Sequence, residues 1–503
     1  MVNGNPSIHA LAEGAPGNVL RLLESQGRDR PGQLALQDGE RQWTFATLNA
    51  EAARFAGALR EAGLQAGDRV GVCLRDTADH LIARLAAGRA GLAVVPMDWR
   101  VPLPERTAVA QRFRLAAVLT EPGALIEGAR CIPVDTHWAT RVSHATELPF
   151  VDDPDLPLVL NLSSGTTGLP KAAVVTHANY AVRIQNNIDA IGSLTGIRYL
   201  SSSPLYFSAG SHFCLTTLLQ GGAVILYPPL FGTEEYVEAV RENAATMAFL
   251  VPTALRWLIA LPPANAPLLP SLKLLIATAS PLTAEERQQI AQRVTPNFYD
   301  LYGSAGGGNI TVLRPAEIVT HADTVGRAVG DVQLQVVDDA DDELPPGTVG
   351  RVRLRGAGVV TAWFDPSDSE EGAAITEGLA DGWLYTGDVG TLDADGFLTL
   401  QGRVDDMIIR GGANVYPEVV EAALRRCPGV GDAAVVGRPL AGGDPVIVAL
   451  VVAVESDTTL TVQALHAHCR SVLPAWMQPA EILLVDDLPR TTSGKVKRRE
   501  LLR

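Results

Sequence analysis

Residues Asn161 to Lys171 read NLSSGTTGLPK and follow the apolar run Leu156 to Leu160. Gly165 and Gly168 let backbone N–H groups approach an anion closely, the hydroxyls of Ser163, Ser164, Thr166 and Thr167 add donors, and Lys171 adds a compact positive charge. Such a loop suits a polyphosphate. It lacks the Gly-Lys-Ser/Thr ending of a Walker A loop, so that way of cradling phosphates is not the one written here. Taken by composition alone, the same stretch also reads as a flexible polar loop.

The rest of the chain narrows what such a loop serves. The 503 residues carry 41 Lys plus Arg against 56 Asp plus Glu, a formal charge of −15. This balance repels a phosphate backbone and argues against general nucleic-acid binding. The dense basic run is Lys495 to Arg499, which by itself reads as a solvated face. With 47% hydrophobic and 19% charged residues, the chain can bury enough apolar surface to offset its ordering entropy. Cys73, Cys131, Cys214, Cys427 and Cys469 show no C-x-x-C pairing, so neither a disulfide framework nor a metal site is written, and a cytoplasmic location is expected. The first twenty residues have no basic start followed by an apolar segment. The apolar stretch Ala244 to Leu261 is interrupted by Pro252 and Arg256, so it is expected to be core, and no membrane partner is expected.

Elements able to hold these residues follow from periodicity. Leu48, Ala52, Phe55, Leu59 and Ala62 recur at helical steps up to Gly63. Val70 to Leu74 reads as a buried strand, Leu81, Ile82, Leu85 and Ala86 as a second helical stripe, and Leu92 to Val95 as another strand. The alternation continues through Arg114 to Thr120, Tyr236 to Val251 and Leu272 to Ala277. It predicts an α/β fold with a parallel sheet. After about residue 325, Gln333 to Val337 and Gly350 to Leu354 alternate across a turn-rich spacer, which predicts antiparallel hairpins. A last piece, with a helix from Pro417, a strand at Val446 to Val452 and a helix through Val462 to Val472, reads as a small α+β unit. The expected architecture is a large N-terminal domain of stacked α/β units with an antiparallel β portion, residues 1–401. A hinge at 402–405 and a small mobile C-terminal domain, 406–503, complete it.

Four ordered motifs give the chain a family resemblance. NLSSGTTGLPK resembles the signature loop of the adenylate-forming superfamily, which includes acyl-CoA and aryl-CoA synthetases. Thr386-Gly387-Asp388 resembles its ribose-binding motif, Gly402 to Glu421 its hinge and following loop, and Pro489 to Leu501 its carboxy-terminal lysine motif. The resemblance implies that Asp388 accepts hydrogen bonds from a ribose diol, as the acidic residue of dinucleotide folds does, and that Arg403 contacts ribose or phosphate. It makes Asp405 the pivot of a domain rotation. Lys495 would approach the attacking carboxylate and the α-phosphate while charge develops. After rotation, Gly411 and Gly412 would take its place and line a pantetheine tunnel. Tyr302 and Gly303 fall where the family stacks adenine. Pro204 to Phe213, with Phe207 and His212, matches the acyl-pocket wall, and Ala277 to Leu282, with Ala279, the adenine-side loop.

One motif departs from the family pattern. Where members carry Tyr-Gly-x-Thr-Glu, with Thr on phosphate and Glu on Mg²⁺, this chain reads Tyr302-Gly303-Ser304-Ala305-Gly306-Gly307-Gly308. Ala305 and Gly306 offer no side-chain oxygen. The resemblance therefore implies a ligase using ATP, Mg²⁺ and CoA on a small carboxylic acid. The departure keeps open a thiolation-only enzyme fed with a preformed acyl adenylate, and a nucleotide-binding pseudoenzyme. Loading of a carrier protein is a further alternative. Gly307 is a candidate for widening the acyl pocket.

Overall fold

The computed structural model describes residues 17–163, 171–229, 231–262, 265–365, 373–375, 378–410, 413–440, 443–454, 460–490 and 496–502. The first predicted helix runs Phe45–Glu61, and Thr44 and Thr47 satisfy each other's backbone N–H at its start. Its apolar stripe is buried and the chain turns away at Gly63, φ +89°. The following strand Arg69–Cys73, helix Ala78–Arg89 and strand Ala93–Pro96 obey the expected alternation.

The parallel pairing expected from that alternation is present and is divided between two sheets. One has eight strands, with Pro157–Ser163, Ala93–Pro96, Arg69–Cys73, Ala117–Thr120 and Cys131–Pro133 parallel and Lys171–Thr176 antiparallel to Pro157–Ser163. The other has nine strands, whose centre is the parallel set Phe298–Ser304, Leu274–Ala277, Met247–Phe249, Arg198–Ser201 and Ala223–Leu226. One continuous apolar cluster joins them, with Val72, Val94 and Val159 from the first and Tyr199, Phe249 and Ile276 from the second. The helix Ala78–Arg89 is buried on nearly every side, His80, Arg84 and Arg89 included, where its pattern had predicted one stripe. The segment expected to be core divides into the strand Met247–Phe249 and the helix Pro252–Ala260, with Pro252 in the first turn, where a missing N–H costs nothing.

The antiparallel portion forms as predicted. Gln333–Val337 pairs with Gly350–Arg355, which pairs with Trp383–Leu392, and Leu398–Arg403 closes the far side of that strand. Gly402 and Arg403 thus still belong to this sheet, two residues beyond the expected end of the large unit. The chain leaves it through the 3-10 turn Val404–Asp406.

Ile408 is the first residue of a separate apolar cluster with Val420, Leu424, Val435, Ile447 and Leu465. That smaller unit holds the hairpin Val430–Leu440 and Gly443–Ala453, the parallel strand Glu481–Leu484, and the helices Pro417–Arg425 and Val462–Val472. No helix among the described residues is long and apolar enough to cross a membrane.

Candidate active site

The phosphate-loop candidate sits on adjacent strands of the eight-stranded sheet. Ser163 and Lys171 are cross-strand partners, so the backbone closes the base of the loop at these two residues. Ser164, Gly165, Thr166, Thr167 and Gly168 lie outside the described residues, as do the side chain of Ser163 and the whole of Gly411, Gly412 and Lys495.

Tyr302, Asp388 and Arg403 come together as one hydrogen-bonded group. Antiparallel register places Asp388 opposite Arg403. Arg403 Nη1 donates to Asp388 Oδ1 over 2.9 Å, and the Tyr302 hydroxyl donates to Oδ2 over 2.5 Å. The Asp388 backbone N–H bonds Thr386 Oγ1 at 3.0 Å, which fixes the turn before it. Gly387 adopts φ +77°, and a Cβ there would lie 2.7 Å from Arg403 Nη2, so glycine leaves the guanidinium its place. Burial and the neighbouring Asp388 carboxylate push the Tyr302 phenol well above its ordinary pKa, so Tyr302 remains a donor. Asp405 is half exposed, 4.0 Å from Arg403 Nη2.

The hairpin of Phe298–Ser304 and Gly308–Leu313 carries the departure from the family motif. Gly303 stands at a register shift opposite Asn309, and a Cβ on it would meet the Gly308 carbonyl oxygen at 2.4 Å. Gly307, the candidate for widening the acyl pocket, stands against packed side chains. A Cβ there would meet Ile310 and Leu354 at 3.0 Å, and one on Gly306 would meet Leu384, Val360 and Trp363 at 3.0 to 3.3 Å. The missing side chains are replaced by apolar packing. Trp363 in turn pairs with Ala173, two residues along the strand from Lys171. The turn and the base of the phosphate loop therefore share a neighbour.

His212, on the helix Ser208–Leu219, accepts at Nε2 from Asn187 Nδ2 over 2.6 Å, and Asn187 Oδ1 accepts from Asn309 Nδ2 over 2.7 Å. With the Asn187 amide so directed, the imidazole proton sits on Nδ1. Burial first, then the Arg183 charge, pushes the His212 pKa down to about 3, so the ring is neutral at pH 7. Phe207 precedes this helix and is half-buried against the main core. Ala279 follows the strand Leu274–Ala277 with φ +84°, a conformation that costs a non-glycine residue about 1–3 kcal/mol and that surrounding structure must hold. Asn187 and Asn309 were not singled out by their sequence pattern; neither was Arg183, whose contacts cross to the same hairpin.

The lysine motif is anchored by Arg498. Its guanidinium bonds the carboxylates of Glu421 and Glu418, the latter at 2.8 Å, and lies 3.3 Å from Asp406. Burial raises the Glu418 pKa to about 7 against the pull of Arg498. Asp406 directly follows the expected pivot, so one arginine links the lysine motif to the turn leaving the large unit.

Among the described residues no side-chain cluster by itself makes a magnesium site. Positions 305 and 306 carry no side-chain oxygen, and no group of three or more His, Cys, Asp or Glu side chains among the described residues could hold a metal.

The Tyr302, Asp388 and Arg403 group and the loop based at Ser163 and Lys171 stand on the larger unit of a two-unit α/β scaffold. Residues 23–364 match the AMP-binding enzyme family and residues 419–495 its C-terminal domain, and the chain belongs to that family. It is 29% identical over 493 residues to the indoleacetate–CoA ligase of Aromatoleum aromaticum, covering 94% of this chain and 95% of the relative. The fatty acid–[acyl-carrier-protein] ligase ScoC of Streptomyces coeruleorubidus is 31% identical over 481 residues, covering 92% and 91%. The ATP-bound crystal structure of MatB from Rhodopseudomonas palustris superposes with a TM-score of 0.86 at 26% identity, over 97% of this chain and 98% of that one.

Proposed function

We propose that the protein is an acyl-CoA or aryl-CoA ligase. In the first half-reaction an oxygen of the substrate carboxylate attacks the α-phosphorus of ATP, forming the acyl adenylate as pyrophosphate leaves with the electrons of the broken P–O bond. In the second, the sulfur of CoA attacks the acyl carbon and AMP departs. The observation that carries this reading is the convergence of Tyr302, Asp388 and Arg403 on the hairpin that also reaches, through Asn309 and Asn187, to His212. Nucleotide and acid candidates thus adjoin one hairpin, as a reaction between them requires.

In this reading Ser163 to Gly168 and Lys171 hold the phosphates, Asp388 and Arg403 the ribose, and Tyr302 and Gly303 the adenine. Phe207 and His212 face the acid, with Ala279 beside it on the adenine-side loop. Lys495 stabilises charge on the transferring phosphorus, the Asp405 region turns, and Gly411 and Gly412 then admit the thiol. Magnesium would arrive as part of its ATP complex, and no residue is assigned to it.

Pyrophosphate exchange with a panel of aliphatic and aromatic acids tests the first half. Acid-dependent exchange supports it. Absence of exchange, with turnover of a supplied acyl adenylate and CoA, would replace it by the thiolation-only reading that Ala305 and Gly306 favour. CoA and a phosphopantetheinylated carrier protein offered in parallel identify the acceptor, because a relative named for carrier loading lies within the same similarity range.

A further inference from the structure

Arg183 lies on the helix His177–Ile191, is 7% exposed, and spends its guanidinium on backbone carbonyls. Its Nε donates to the Gly358 carbonyl over 2.8 Å, and its Nη2 donates to the Gly306 carbonyl over 2.6 Å and, more weakly, to that of Ala305 at 3.5 Å. These last two residues fill the positions where the family motif carries its phosphate and metal contacts. Burial pushes the Arg183 pKa down to about 10, which leaves the guanidinium charged at neutral pH. A charged donor makes stronger bonds to carbonyls than a neutral one, and the planar fork fixes their direction.

The glycines around it are fitted to this side chain. A Cβ on Gly308, φ +70°, would stand 3.0 Å from Arg183 Nε, and one on Gly358 would stand 3.3 Å from its Cγ. The backbone is also tied from the front, since Gly307 N donates to Ser304 Oγ over 2.9 Å. One helical step further, Asn187 holds His212. The same helix therefore sets both the turn beside Tyr302 and the orientation of the acid-side imidazole.

We propose that Arg183 is a positioning residue for the nucleotide: it holds the Ala305–Gly306 backbone from behind, replacing by a buried charged clamp the order that side chains at these positions would otherwise give. This rests on the ligase reading for the identity of the nucleotide's chemistry, although the clamp itself makes a prediction for binding alone.

The experiment compares the full chain with Arg183→Met and Arg183→Lys. AMP affinity is measured by calorimetry, KM for ATP in pyrophosphate exchange, and KM for CoA with a supplied acyl adenylate. Loss of charge-assisted bonds predicts AMP binding and ATP KM worse by about tenfold to a hundredfold in Arg183→Met, a partial recovery in Arg183→Lys, and an unchanged KM for CoA. A folded Arg183→Met with unaltered AMP affinity and ATP KM would overturn the proposal, as would a loss confined to the amount of active protein. If Arg183→Met does not fold, Arg183→Lys, which keeps the charge and loses the planar fork, carries the test; weaker AMP binding than wild type supports the clamp and unchanged binding overturns it. AMP binding that Arg183→Met weakens, in a protein whose wild type neither supports pyrophosphate exchange with any acid offered nor turns over a supplied acyl adenylate, would sink the ligase reading and leave the clamp supported.

Discussion

The Tyr302 hydroxyl and the Arg403 guanidinium engage the two different oxygens of Asp388, at 2.5 and 2.9 Å. Each carboxylate oxygen keeps a further lone pair, so the group can be oriented by the protein and still accept from a diol. Asp388→Ala is expected to raise KM for ATP by about tenfold to a hundredfold, the range for bonds to a charged group. Tyr302→Phe removes only the orienting donor and should raise it by less than about tenfold, because Arg403 remains. Steady-state kinetics at saturating acid measure both, and an equal effect of the two changes would contradict a direct role for Asp388.

Lys495→Ala separates the half-reactions. Removal of a transition-state charge contact should slow pyrophosphate exchange by about a hundredfold to a thousandfold, while thioester formation from a supplied acyl adenylate stays within a few-fold. Equal losses in both assays would contradict alternating use of one site.

Acid should destabilise the fold through three buried imidazoles, those of His80, His177 and the His212 already described. Burial pushes the pKa of His80 down to about 3 and that of His177 to about 4, from an ordinary 6.5. Between about pH 6.5 and 4 the unfolded chain binds protons that the native one does not, so stability falls as pH falls, by up to about 1.4 kcal/mol per pH unit for each ring. Urea midpoints at pH 7.5 and 5 measure the slope. His177→Gln should flatten it, and an unchanged slope would remove His177 from the account.

Arg287 and Asp300 form a buried ion pair at 2.7 Å, and Arg287 also donates to the Ala322 carbonyl. Asp300 lies two residues before Tyr302 on the same strand, Phe298–Ser304. Arg287→Met leaves that carboxylate buried alone and should cost about 3–5 kcal/mol. Denaturant unfolding tests this, and Arg287→Met with Asp300→Asn should recover part of the loss.

Local chemistry made much of the scaffold readable. Thr44 and Thr47 mark a helix start, Leu48 to Leu59 its buried face, and Gly63 its end, all from neighbours in the chain. Asp388 was noticed through motif resemblance, yet its pairing with Tyr302, 86 residues earlier, depends on two sheets meeting. Arg183 could not be read at all. Its acceptors are backbone carbonyls 122, 123 and 175 positions away, which leave no trace in side-chain pattern. The helix Ala78–Arg89 shows the same limit, because enclosure between layers buries its polar face together with the apolar one.

The smaller unit that starts at Ile408 has an apolar core of its own, built on Val420, Leu424, Val435, Ile447 and Leu465. Heating therefore has no reason to melt the molecule in a single step. A calorimetric scan would resolve two endotherms, and saturating the nucleotide cleft would move the larger one upward while the smaller held its temperature.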